Sequence, residues 1–300
     1  MKKFFLALAC TLGIAGICAA GTVIYTFFVN IAPEDSNTPL IGFVNIAEGK
    51  HNTLHLGLVN VNAGDFSGAQ LGLANITGGG FRGAQLGLAN LAAGSCNGLQ
   101  WGLGNFTGGD FEGVQLGLVN FTGKKLSGAQ IGLVNFADDI SGSLQFGLIN
   151  MARSGGYRAF EYSFSEFFPI AIALKTGIEK LYTSLFVIAY SGRLPIGKNL
   201  AAGAGLGSIL PVCESLFFNP EINLLNTNWA KASQTFLSFI PHLGVNLGKG
   251  WSVTLGPSVT WVHNSGNEPM QEPIFSISSH DINSNNRIVI GVRIGVRVRL

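Results

Sequence analysis

With 300 residues, 47% hydrophobic and only 11% charged, the chain is too apolar to remain disordered, and its 42 glycines lack the every-third-residue spacing of collagen. It must pack a core or sit in lipid, and its length accommodates two domains or one large all-β unit. Setting aside Lys2 and Lys3 leaves 16 basic against 16 acidic residues, a balance that gives no electrostatic case for binding nucleic acid.

Residues 1–20 read as a signal peptide: Lys2 and Lys3, an apolar run from Phe4 to Cys18, then the small residues Ala19, Ala20 and Gly21 around a cleavage point. Cys18 is also a candidate for lipidation, although Ile17 occupies the position where a small residue normally precedes a modified cysteine. The mature chain keeps Cys96 and Cys213, which lack metal-ligand spacing and read as small buried hydrophobes.

Residues 21–154 form a fifteen-residue repeat array. Asparagine recurs at Asn45, Asn60, Asn75, Asn90, Asn105, Asn120, Asn135 and Asn150. Three residues before each stands glycine, from Gly42 through Gly57, Gly72, Gly87, Gly102, Gly117 and Gly132 to Gly147. Glutamine precedes the motif from Gln70 to Gln145, so the unit is G-x-Q-φ-G-L-x-N-φ with φ apolar, and Phe28-Val29-Asn30 is a worn first copy. A fixed period places every unit in an equivalent environment, which stacking along one axis provides. A five-residue beat (Leu71, Ile76, Phe81, then Leu86, Leu91, Cys96) predicts apolar residues pointing into a narrow core, as in pentapeptide-type solenoids. A two-residue beat gives neither face a polar character. The expectation is a three-sided or irregular coil of about 15 residues per turn with stacked Asn and Gln ladders. Between Phe66 and Gly109 the only charge is Arg82, so one face is expected to lean on a partner, the second domain or lipid.

Residues 155–300 change to amphipathic runs separated by Gly, Asn and Pro. In the last, Ile288, Ile290, Val292, Ile294, Val296, Val298 and Leu300 oppose Arg293, Arg297 and Arg299, which share their face with Gly291 and Gly295. Runs near 158–165, 168–175, 181–191, 201–210, 216–224, 234–247, 251–263 and 286–300 predict an eight-stranded antiparallel barrel of the outer-membrane kind. A soluble β-sandwich is the alternative, and Leu300 departs from the terminal aromatic that resembles a barrel-assembly signal. A further alternative makes every repeat a strand of one wide barrel of about sixteen strands. The Gly-rich run Gly203–Gly207 lacks the spacing of a nucleotide loop and reads as a small-residue barrel strand.

The repeat wording, G-A-Q-L-G-L-A-N at 68–75 and G-V-Q-L-G-L-V-N at 113–120, resembles the leptospiral-type surface-repeat family of spirochaete and related Gram-negative envelopes, over residues 41–153. The resemblance implies export to the outer membrane or cell surface and carries no catalytic residues.

His51 and His55 stand four apart, but outside a helix this is a surface or core pair rather than a ligand pair. His263 and Ser265, at a strand end, form an H-x-S pair similar to that of outer-membrane lipid A deacylases, where His activates Ser. The preferred expectation is a non-enzymatic scaffold, interaction surface or adhesin, with no cofactor or metal, whose partners are outer-membrane lipid and a host or envelope surface ligand. A barrel lipid hydrolase using His263 and Ser265, or a wide pore, is the alternative.

Overall fold

The computed structural model describes residues 26–190, 200–227, 234–266 and 269–300. The expected signal segment and Cys18 lie outside them. The chain divides into two compact units, Met1–Gly102 and Leu103–Leu300. Every described element is a strand, turn or bend.

In the first unit each fifteen-residue repeat makes one coil with two strands, as in Ala74–Thr77 followed by Phe81–Leu86. Equivalent strands of successive coils pair in parallel without slip, Asn30 beside Asn45, then Asn60, Asn75 and Asn90. On the first strand Asn75 and Thr77 are buried, whereas Ile76 is exposed. On the second, Phe81 and Gln85 are buried. Four residues separate them, rather than two, because the strand bends at Gly83, whose φ is +127°. A Cβ there would lie 1.9 Å from the Gly68 carbonyl oxygen of the preceding coil, so glycine is needed both for the backbone angle and for the close stacking. The second unit begins with the same arrangement, pairing Asn105, Asn120, Asn135 and Asn150 in register.

The five-residue beat is therefore not the core pattern. Phe81, Cys96 and Phe111 point inward, but Ile76, Leu91, Trp101 and Phe106 are exposed. The buried rows are Asn, Thr or Ala, Phe or its substitute, and Gln; neither face had looked polar because a polar inner face alternates with an apolar outer one. The one-wide-barrel alternative also fails, since repeat strands pair in parallel with the strand one coil away.

After Ser154 come Gly155 and Gly156, and pairing becomes antiparallel. The barrel strands are β1 (Tyr157–Phe164), β2 (Ile170–Ile178), β3 (Leu181–Tyr190), β4 (Leu200–Gly207), β5 (Leu216–Thr227), β6 (Gln234–Gly248), β7 (Trp251–Asn264) and β8 (Asn286–Arg299). Each pairs with the next, and β1 pairs with β8 from Ala159–Arg299 to Phe164–Ile294, which closes the barrel. A short strand, Ser278–Asn283, continues along the first half of β8 beyond the end of β1. Gly203–Gly207 lies on β4, where a Cβ on Gly203 would stand 2.0 Å from the Leu224 carbonyl oxygen and one on Gly207 2.4 Å from the Tyr182 ring.

Two glycines of neighbouring turns separate stacking from simple flexibility. Gly83→Ala forces both a disfavoured φ and a backbone clash and should cost about 3 kcal/mol or more. Gly80→Ala, whose Cβ would meet nothing nearer than 3.6 Å, should stay within about 0.5 kcal/mol. Native-state hydrogen exchange across Phe81–Leu86 reads the difference, and equal losses would refute the stacking account.

Candidate functional site: an inverted barrel and its repeat stack

The alternation of each barrel strand sorts its residues sharply. On β8, Arg293 and Arg297 are buried while Ile288, Ile290, Ile294 and Val296 are exposed; on β7, Ser252, Thr254, Ser258 and Thr260 are buried while Trp251, Leu255, Val259 and Trp261 are exposed. On these two strands a mainly polar side lines the interior and an apolar side faces out, the reverse of a water-soluble barrel.

Four layers fill the interior. Tyr157, Ala159 and Tyr182 pack together nearest the ends where β1 begins and β8 finishes. Above them Lys175, Arg293 and Arg297 surround Glu161 and Glu221, all fully or nearly fully buried. Arg297 reaches Glu161 at 2.7 Å and Glu221 at 3.3 Å, Arg293 reaches Glu161 at 2.9 Å, and Lys175 pairs with both carboxylates. The Tyr182 hydroxyl donates to Glu221 at 2.6 Å, and Asn219 accepts from Arg297 at 2.7 Å. Gly295 and Gly291 leave room for carboxylates: a Cβ on Gly291 would lie 2.6 Å from Glu166 Oε2. In the third layer Glu166 accepts from Ser258 and Thr260, each at 2.7 Å. Last come Phe167 and Phe168, carried inward by the β1–β2 connection to pack on Phe186, Leu225, Phe236 and Val262. Beside Glu166 and Arg293 lies a cavity of about 20 Å³, room for about one water.

Around this core, Arg299 does not join Arg293 and Arg297 but pairs with Glu179 at the rim, at 2.5 Å. The rim nearest it carries the connections Glu179-Lys180, 208–215 and Lys249-Gly250; the opposite rim carries 165–169 and the long connection between β7 and β8. The last repeat coil packs near the Glu179-Lys180 rim, on outward-facing positions of β2 and β3. Asn150 N–H donates to Thr176 Oγ1 at 3.0 Å, and Thr183 Oγ1 donates to the Gly147 carbonyl at 2.6 Å. Both threonines are buried although their strand neighbours Lys175 and Ser184 face inside.

Within the coils, each buried Asn side chain donates to the next: Asn45 to Asn60 at 2.7 Å, Asn60 to Asn75 at 2.8 Å, Asn75 to Asn90 at 2.9 Å and, in the second unit, Asn105 to Asn120, Asn120 to Asn135 and Asn135 to Asn150. The second amide proton goes to the carbonyl eleven residues on, as from Asn75 to Leu86. The Gln row donates the other way, Gln85 to Gln70 at 2.8 Å and Gln145 to Gln130 at 2.6 Å, so the two rows oppose their amide dipoles. The Gly57, Gly72, Gly87, Gly102, Gly132 and Gly147 row brings consecutive coils so close that a Cβ would lie 2.1–2.4 Å from a carbonyl oxygen; Gly117 holds the same repeat position.

His51 and His55 are core residues of an early coil, His55 standing in the Gln row beside Gln70. Their rings approach at 3.4 Å, and burial holds His55 down to about 3 and His51 below its usual value. Cys96 is buried in the Phe row, as expected, but Cys213 is exposed, because it sits in the β4–β5 connection rather than on a strand. His263 lies on the outward side of β7, stacked on Trp261, its Nδ1 3.0 Å from Asn286 Oδ1; Ser265 follows the strand end and is exposed. Among the described residues no group of three His, Cys, Asp or Glu could hold a metal, and no helix is long and apolar enough to cross a membrane.

Comparison with protein-family models, curated proteins and solved structures finds no match to this chain.

Sequence reading placed Arg293 and Arg297 on one face but missed Glu161, Lys175 and Glu221 as their partners; alternation of Glu161 with Phe160 and Tyr162 was the available signal. Glu221→Gln leaves Lys175 and Arg293 short of a counter-charge and should destabilise the barrel by about 3–5 kcal/mol, read as a lowered urea midpoint. In the coils, His55 loses stability to acid. Its folded-state pKa of about 3 lies below the free value of 6.5, so its contribution is intact above pH 6.5 and declines as pH falls towards 3. The slope is at most about 1.4 kcal/mol per pH unit. His55→Gln, matching the Gln row, should flatten the pH dependence of local opening at His51–Leu56; an unchanged slope would exclude this origin.

Proposed function

We propose that the chain is a non-enzymatic outer-membrane protein whose barrel crosses the membrane and whose repeat coils form a scaffold or interaction surface beside it. The observation that carries this reading is the inversion of the barrel: six Lys, Arg and Glu side chains inside, apolar side chains outside. In water such a wall would expose a continuous apolar surface, whereas in lipid it meets its own kind. Trp251 and Trp261 stand ten residues apart on the outer face of β7. That is about 33 Å along the strand, or about 25 Å along the barrel axis at a tilt near 40°, the height of a typical outer-membrane apolar band. The resemblance of the repeats to envelope surface-repeat proteins points the same way.

The rims bear on sidedness. Outer-membrane barrels put short turns in the periplasm and long loops outside. The long β7–β8 connection lies at the rim opposite Glu179-Lys180, and the final coils rest by Glu179-Lys180, so this reading puts residues 103–154 on the periplasmic side, favouring a scaffold within the envelope over an adhesin. His263 and Ser265 stand at the opposite rim, on the outward side of the wall, where lipid would meet them.

Epitope tags test both parts. A tag beside exposed Ile277 should bind antibody on intact cells, and one at Gly109 only after the outer membrane is permeabilised. The reverse pattern would overturn the sidedness, and a protein recovered in a soluble fraction would overturn the membrane reading. Purified protein in liposomes should give no stable conductance, because the interior is filled. Ser265→Ala should leave lipid A acyl chains unchanged; an altered acyl profile would establish the hydrolase.

A further inference from the structure

The coil array has its own inverted surface, distinct from the barrel's. Four positions of each repeat, the residues just after Gln, three after Gln, and on either side of Asn, face outward and carry no polar side chain from Leu56 through Met151. Exposure along this wall is high, 51% at Leu73 and Leu88, 61% at Trp101 and 54% at Leu133. Charged residues keep to the opposite turn: Glu48, Lys50, Asp65, Arg82, Asp110, Glu112, Lys124, Lys125, Asp138, Asp139 and Arg153 all fall three to seven residues after a repeat Asn. Such a partition over consecutive coils is what an amphipathic element lying at a lipid interface has.

Two further observations name the occupant. In the first unit the stacked glycines form the floor of a groove of about 390 Å³, walled by Phe27, Leu56, Leu58, Leu71 and Leu73. Its lining is apolar along its length, a slot for a hydrocarbon chain rather than for a peptide, whose backbone amides would find no partners there. In the second unit the final coil sits on the outer wall of the barrel at Thr176 and Thr183, which places the end of the leucine rows, at Leu148, beside the barrel's apolar exterior rather than over its mouth.

We propose that the leucine wall of residues 103–154 is a lipid-binding surface that takes acyl chains of the membrane leaflet adjoining the barrel's Glu179-Lys180 rim, with the charged turn left in water. The proposal rests on the membrane reading of the barrel, and the test separates the two. Trp261 is a native reporter on the barrel, and Leu133→Trp puts one on the wall of the same unit. Single-tryptophan variants carrying one or the other, with the remaining tryptophans changed to Phe, would be folded into phosphatidylcholine vesicles with dibrominated acyl chains, which quench only tryptophans in contact with them. The Leu133 reporter should lose emission to a degree comparable with Trp261, whereas Ser127→Trp, on the charged side, should not.

Quenching of Trp261 without the Leu133 reporter would overturn the lipid wall while leaving the barrel in the membrane. If a concentration-dependent dimer accompanied that result, the wall would belong to a second copy of the chain. Quenching at Ser127 equal to that at Leu133 would overturn the face selectivity. Loss of quenching at Trp261 itself would overturn the barrel reading on which the proposal rests.

Discussion

A buried amide or ion costs several kcal/mol unless another polar group meets it, and this one constraint shapes both architectures in the chain. In the coils it is met by repetition. Each Asn side chain has an identical neighbour one coil away at hydrogen-bond distance, so a residue that would be a poor core element alone becomes a good one in a row. The arrangement works only if successive coils stack without slip, which the glycine rows permit by removing the Cβ atoms that would keep the backbones apart.

In the barrel the same constraint is met by assembly from distant segments. Glu161, Lys175, Glu221, Arg293 and Arg297 come from four strands spread over more than half of the second unit, and each charge meets at least two of opposite sign. Isosteric apolar replacement of a whole buried ion network is often neutral, whereas removing one partner leaves its counter-ions buried and short of charge. The aromatic plug supplied by Phe167 and Phe168 completes the filling. Together these layers pack the inward-facing polar groups against one another and against aromatic rings.

Turning polar groups inward leaves the apolar ones outward, and the apolar exterior is the feature on which the membrane proposal rests. The barrel wall and the leucine wall differ in construction, one antiparallel and one parallel, yet both leave a surface poorly suited to water. The Thr176 and Thr183 hydroxyls are the polar interruption that gives the last coil its seat on the barrel.

Much of this fold is legible in the chain. The spacing of Asn45 through Asn150 determines a fifteen-residue coil and its in-register stacking, because only equivalent environments tolerate the same residue eight times. Alternation in β6, β7 and β8 likewise marks strands, and the eight runs anticipated from it match the barrel strands closely. What alternation does not contain is direction: a period of two separates two faces without saying which is inside, and that depends on whether water or another strand's side chain meets each face. The five-residue beat misled for the same reason, selecting Leu71 and Ile76 as core by apolarity when their faces point outward. Likewise, the closure of the barrel through β1 and β8, the meeting of Glu161 with Arg297 across more than a hundred residues, and the turn of His263 away from the interior arise only when distant strands come together. Local sequence fixes period and face; tertiary contact decides which face is buried.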